Sequence, residues 1–172
     1  MCIRDRFGPG RVLEADQVLV GRNRIRAASN RRLRSLLGRT EELPEPADRL
    51  VCLRNNHNLG LLNGGLWEVE DRSALSEERI MLTVLPEEGG VALEVEAHTH
   101  YFRGSSDSLQ WWERRDAEEF DYGYALTVHK AQGSQWRNVL LFDESWCFRA
   151  DRWRWLYTGL TRAAERVTVV SL

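Results

Sequence analysis

A chain of 172 residues, 42% hydrophobic and 29% charged, is composed like a soluble globular protein and is long enough for one domain, or for one domain carrying a small insert. No apolar run approaches the ~18 residues of a membrane-spanning helix, so a helical membrane protein is excluded. The net charge of −2 argues against a uniformly basic nucleic-acid binder, yet Arg22, Arg24, Arg26, Arg31, Arg32, Arg34 and Arg39 follow one another with no acid among them.

At the N-terminus, "MCIRDR" back-translates into the transposon end used to fragment DNA for sequencing. Residues 1–6 are therefore read as adapter-derived, and the chain as a fragment of a longer metagenomic protein. The opening stretch is charged and lacks the apolar core of a signal peptide. Cys2, Cys52 and Cys147 are far apart, with no CxxC pair and no histidine pair nearby. That pattern predicts no zinc and no other metal site, and fits a reducing cytoplasm.

Residues 17–20 read as a short buried strand ending at Gly21. A helix is predicted next, capped by Asn23, with Ile25, Ala28, Leu33, Leu36 and Leu37 close to one face, the arginines on the other, and Gly38 at its C-terminal end. "EELPEPAD" is a proline-rich acidic linker, after which "RLVCLR", "LWEVED", "RIMLTVL" and "VALEVEAHTHYF" read as short strands, with a hairpin signal in "PEEGG". This region predicts a small antiparallel barrel of the SH3-like kind. "SLQWWERRDAEEF" reads as a helical connection, "YGYALTV" as an apolar strand, "HKAQGSQW" as a loop and "NVLLFD" as another strand. "DRWRWLYTGLTRAAE" then has the pattern of an amphipathic helix that Asp151 could cap, and "RVTVVSL" closes the chain as a strand. Trp153 and Trp155 stand two apart on that helix and cannot share a face, so at least one is expected to be exposed.

Two αβ segments flanking an all-β region predict one RecA-like parallel-sheet domain of α/β class, interrupted by an SH3-like β-barrel insert. The boundaries read as 7–43 for the first part of the α/β domain, 44–115 for the insert and 116–172 for the second part.

The chemistry gathers in "TVHKAQGSQW", which holds the only lysine of the chain, and in "YTGLTRA". No GxxxxGK[ST] phosphate cradle occurs anywhere. Instead Thr127, His129, Lys130 and Gln135 offer a hydroxyl, an imidazole, an ammonium and an amide at a strand end, donors suited to a phosphate backbone or a nucleotide edge. Taken singly, His129 and Lys130 read as surface residues. Arg162, read as helical among Leu160, Ala163 and Ala164, is either a snorkelling surface arginine or one that reaches a terminal phosphate.

Taken in order, "VLVGRNRIRAASNRRLR", "NNHNLGLLNG", "ALTVHKAQGSQW" and "WLYTGLTRA" resemble the C-terminal motor half of superfamily 1 helicases, nearest the RecD/Dda-like branch with its UvrD-like C-terminal module. The resemblance implies ATP with Mg2+ bound between two motor domains, of which a first, carrying the P-loop, is missing from this stretch. It implies Arg162 as an arginine on the γ-phosphate with Arg22 as its partner, Arg24 as an alternative to Arg22, and Gly133, Ser134 and Gln135 near the nucleotide. Thr127, His129, Lys130 and Asn56 would meet a single DNA strand. No membrane partner is implied. The chain alone is expected to be inactive as an ATPase, because the residues that cradle the phosphates and hold magnesium belong to the other domain. The alternatives are a non-catalytic nucleic-acid-binding or interaction module on a degenerate motor fold, and the motor half of an RNA helicase.

Overall fold

A computed structural model describes residues 9–171, leaving the adapter-like residues 1–6 outside. It divides into two compact units: one runs to Leu37 and resumes at Tyr124, and the other is Gly38–Gly123.

In the first unit a short helix α1 (Pro9–Leu13) leads into strand β1 (Gln17–Val20) and helix α2 (Asn23–Leu36). The second unit begins with β2 (Arg49–Cys52), β3 (Leu66–Ala74), β4 (Arg79–Pro86) and β5 (Leu93–His98), and continues with a one-turn helix α3 (Thr99–Arg103) and β6 (Phe120–Tyr122). The chain then returns to the first unit for β7 (Ala125–Thr127), β8 (Trp136–Asp143), helix α4 (Arg152–Leu160) and β9 (Ala163–Ser171).

The first unit is a four-stranded sheet in the order β7, β1, β8, β9, with every pairing parallel. β1 is buried along its whole length, as a central parallel strand covered on both faces must be. Side chains alternate across the sheet. Val18, Val20, Leu140, Phe142 and Val170 pack with Leu33 of α2. Leu141, one residue out of step, meets the other helix: a Cβ added to Gly159 of α4 would stand 3.0 Å from its Cδ2. α2 and α4 thus cover opposite faces of a three-layer α/β/α unit, as the expected RecA-like fold requires.

Local details differ from the sequence pattern. Asn23 lies inside α2, and the N-cap position is Arg22, without a side-chain cap. The buried stripe of α2 runs through Ser29, Asn30 and Leu33, while Ala28 and Leu37 are exposed. Burial of Asn30 is offset by hydrogen bonding: its amide donates to the Ala125 carbonyl at 3.2 Å and its oxygen accepts the Ala125 N–H at 2.6 Å, pinning α2 to β7. As the spacing predicts, Trp155 is buried and Trp153 is exposed.

The second unit is an antiparallel sheet in the order β5, β4, β3, β2, β6. The "PEEGG" turn joins β4 to β5 as a hairpin. No closed barrel forms among the described residues: β5 and the stretch ahead of β6 share one isolated bridge, Ala97 to Glu118, where closure requires a paired strand. "HTHYF" departs from a strand, since β5 ends at His98 and Thr99 begins α3. "SLQWWERRDAEEF" forms only two short 3-10 turns, Ser106–Ser108 and Glu113–Arg115. No helix among the described residues is long and apolar enough to cross a membrane.

His98 is buried and neither ring nitrogen has a hydrogen-bond partner. Burial, then the charges of Arg79 and His100, lower its pKa below the ordinary 6.5, with the Glu113 backbone and the Glu119 charge opposing. Between the depressed folded pKa and 6.5, the unfolded chain therefore binds a proton on this residue while the folded chain does not. Stability of the second unit is expected to be full above about pH 6.5 and to decline as the pH falls from there toward the depressed folded pKa. His98→Gln should flatten that part of a denaturation-midpoint curve; an unchanged slope would remove His98 as its cause.

Candidate functional site

The parallel sheet has two edges, and the residues singled out in the sequence divide between them. The carboxyl ends of β1, β7 and β8 are Val20, Thr127 and Asp143, so Gly21 and Arg22, Val128 to Lys130, and Glu144 line one edge. The amino ends of β8 and β9 are Trp136 and Ala163, which places Gly133, Ser134, Gln135 and Arg162 at the other. In open α/β sheets, ligands gather in the crevice outside the carboxyl ends of the strands.

At the amino edge Arg162 is a preorganised cation. α4 ends at Leu160, so Arg162 lies in the turn before β9, where the sequence pattern has it inside the helix. The helix stops because its last carbonyls are claimed by the turn itself: Thr161 Oγ1 donates to the Thr158 carbonyl at 3.0 Å, and Arg162 Nε donates to the same oxygen at 3.1 Å. Arg162 Nη1 donates to the Ser134 carbonyl at 3.1 Å and Nη2 to Thr161 Oγ1 at 3.1 Å. All three acceptors are neutral. The guanidinium is held in place, is opposed by no acid among the described residues, and keeps two of its five N–H donors for an anion. Gln135 Nε2 donates to the Thr161 carbonyl at 3.3 Å, and the Trp136 N–H donates to the Arg162 carbonyl at 3.0 Å. Gly133 sits at φ 92°, where a side chain would be strained, at the bend that brings Ser134 under Arg162.

At the carboxyl edge the "TVHK" turn is closed by its own threonine. Thr127 Oγ1 accepts the Lys130 N–H at 3.2 Å, and the Ala131 N–H donates to the Thr127 carbonyl at 3.0 Å. This hydroxyl shapes the turn that carries His129 and Lys130. His129 is exposed, its ring 5.4 Å from that of Phe148, which stacks on Trp155 at 5.1 Å with the planes 14° apart. His129, Gln132, Phe148, Asp151, Arg154 and Thr158 border a cleft of about 200 Å³ beside this aromatic column. The segment between β8 and α4 is strained: Arg149, an exposed non-glycine residue, has φ 45° and ψ −110°.

Glu144 was not singled out by the sequence. Its fully buried carboxylate accepts the Gly21 N–H at 2.7 Å, the Arg22 N–H at 3.2 Å and Arg22 Nε at 2.7 Å. Gly21 is required by this approach, because a Cβ there would lie 2.7 Å from Glu144 Cβ. The Arg22 guanidinium lies 4.9 Å from the Trp146 ring centroid, and its hydrogen bond to Glu144 raises its already high pKa. Burial, then the Glu144 charge, push up the pKa of the nearby Cys147 thiol.

Arg22 and Arg162 are not brought together. Leu19 pairs with Leu141 and Ala163 with Trp136, so roughly 25 Å of strand separates the levels of the two arginines. That is too far for both to meet one phosphate within this unit. Arg24 is exposed in the first turn of α2, at the Arg22 edge rather than with Gly133 to Gln135. Asn56 belongs to the second unit, where its amide donates to Glu118 Oε1 at 2.6 Å and its oxygen accepts the Asn58 N–H at 3.1 Å, so one end ties its loop to the stretch ahead of β6 and the other shapes the loop itself.

Residues 122–170, which carry three of the four parallel strands and both motifs, match the family model of the UvrD-like helicase C-terminal domain. The chain carries a helicase C-terminal domain. It belongs with the C-terminal half of the superfamily 1 UvrD/RecD-like helicases. The ATP-dependent RecD2 DNA helicase of Deinococcus radiodurans is 35% identical over 124 residues, 70% of this chain and 14% of that protein. An uncharacterised protein of Methanocaldococcus jannaschii is 38% identical over 55 residues, 32% of this chain and 5% of its own length. The crystal structure of the Pif1 helicase from Candida albicans superposes with a TM-score of 0.56 at 14% identity, covering 90% of this chain and 45% of that one, and supports the helicase RecA-like fold. The helicase domain described here thus spans a small part of the curated relatives it matches.

Proposed function

We propose that this chain is the second motor module of an ATP-dependent helicase or translocase acting on single-stranded DNA in the cytoplasm, with its two sheet edges assigned to different ligands. The amino edge faces the nucleotide, and the carboxyl edge grips the strand. ATP with Mg2+, shared with a P-loop domain of the same polypeptide, supplies the transferable γ-phosphoryl group. Arg162 offers its two unengaged N–H groups to that phosphate and offsets the charge developing on it. Gly133, Ser134 and Gln135 shape the nucleotide side. His129 and Lys130 contact the strand, and Thr127 holds their turn. The Gly38–Gly123 unit, an open antiparallel sheet, is read as an insert that guides the strand, without a contact from Asn56.

One observation carries this reading. The single loop from Thr127 to Trp136 leaves the carboxyl edge at His129 and arrives at the amino edge under Arg162. A change in how Arg162 is engaged therefore acts on the same ten residues that present His129 and Lys130, a short mechanical route from nucleotide state to strand grip.

The first test is binding of a fluorescein-labelled oligothymidylate, followed by anisotropy across salt concentrations. The chain is expected to bind with affinity that falls as salt rises, and His129→Ala with Lys130→Ala to weaken binding by about tenfold. Equal binding by the double variant would refute the assignment of the carboxyl edge to the strand.

A further inference from the structure

We infer that Arg22, Trp146 and Glu144 form a phosphate-gripping unit at the carboxyl edge, in which Arg22 contacts the strand and Glu144 is the positioning residue that aims it. The inference rests on the reading of that edge as strand-facing. Arg22 is fixed from two sides. Glu144 takes Nε at 2.7 Å and Trp146 lies against the guanidinium at 4.9 Å, while both Nη groups remain without a hydrogen bond among the described residues. Four N–H donors are thereby turned outward as a rigid fork, the geometry that suits phosphate oxygens.

Glu144 is built for this task more than for surface pairing. A surface carboxylate that met Arg22 alone would release it as the side chains moved. Here the carboxylate is fully buried and bonded to two backbone N–H groups of the loop that carries Arg22, so the acid and the arginine move as one piece. Trp146 remains 56% exposed, leaving ring surface for a base adjoining the gripped phosphate.

The sign of one substitution separates aiming from charge cancellation. If Glu144 only neutralised Arg22, Glu144→Gln would add a net positive charge and tighten binding of a polyanion. If it aims Arg22, the same substitution weakens binding. In the oligothymidylate assay on the full chain, Glu144→Gln is expected to weaken binding about five- to tenfold, and to lower the slope of log affinity against log salt by about 0.7, the loss of one single-strand phosphate contact. In an Arg22→Ala background it should cost nothing further. Arg22→Lys, which keeps the charge and loses the fork, and Trp146→Leu should each weaken binding severalfold. Unchanged or tighter binding by a folded Glu144→Gln chain, or full additivity with Arg22→Ala, overturns the inference. Should Glu144→Gln fail to fold, native affinity of Arg22→Lys overturns it instead. Loss from His129 and Lys130 without loss from Arg22 or Glu144 overturns this inference and leaves the strand assignment standing; no binding by the unmodified chain overturns both.

Discussion

Leu141→Ala is expected to destabilise the parallel-sheet unit by about 3–4 kcal/mol, within the range for a fully buried leucine whose cavity cannot collapse. Leu141 is completely buried in β8, between Leu19 of β1 and Val169 of β9. Its methyl groups lie against Gly159, which Val128 also faces. The glycine of "YTGLTRA" is there because α4 packs onto the sheet at this point, and a side chain would press on Leu141 and Val128 at 3.0 to 3.2 Å. Removing the leucine side chain takes away the surface against which α4 is seated, so α4 and the turn that carries Arg162 are expected to loosen together. Urea denaturation followed by far-UV circular dichroism should show a lower midpoint with an unchanged slope. A loss below about 1 kcal/mol would mean that α4 is held chiefly by other contacts.

The parts of this fold legible in the sequence are those whose signal is local. β1 and β8 read as apolar runs because a parallel strand covered on both faces needs apolar side chains at successive positions. The β4–β5 hairpin is announced by its own turn. What sequence reasoning missed depends on groups far apart in the chain. Asn30 looks like an ordinary polar position until it meets the backbone of Ala125, 95 residues on. Glu144 looks like the polar end of a strand, and its role depends on a loop 123 residues earlier. A faint signal existed there, a glycine directly after a buried strand and an acid directly after another, but nothing local states that the two strands are neighbours. Arg162 stands out by its motif and is misplaced by its periodicity, because Leu160 and Ala163 continue a helical pattern that side-chain hydrogen bonds at Thr158 and Thr161 bring to an end. "HTHYF" fits either an alternating strand or a helical turn; burial of Tyr101 and Phe102, with Phe102 set 5.3 Å from Tyr122, accompanies the turn.

The second large effect concerns the proposed nucleotide edge. In an assembly that pairs this chain with its P-loop domain, Arg162→Ala is expected to lower kcat for DNA-stimulated ATP hydrolysis by about 10³-fold or more, the scale of losing an arginine that offsets charge on a transferring phosphoryl group. Arg162→Lys should recover little. A lysine has one point charge and cannot at once donate to the Thr158 carbonyl, the Ser134 carbonyl and a phosphate. Because three neutral oxygens hold the guanidinium in advance, little of its interaction with the γ-phosphate is spent on ordering the side chain, and the effect should fall on kcat more than on KM for ATP. The chain without its partner domain should show no turnover with or without DNA. Robust DNA-stimulated hydrolysis by the isolated chain, or near-native kcat in the Arg162→Ala assembly, would break the assignment of this edge to the nucleotide.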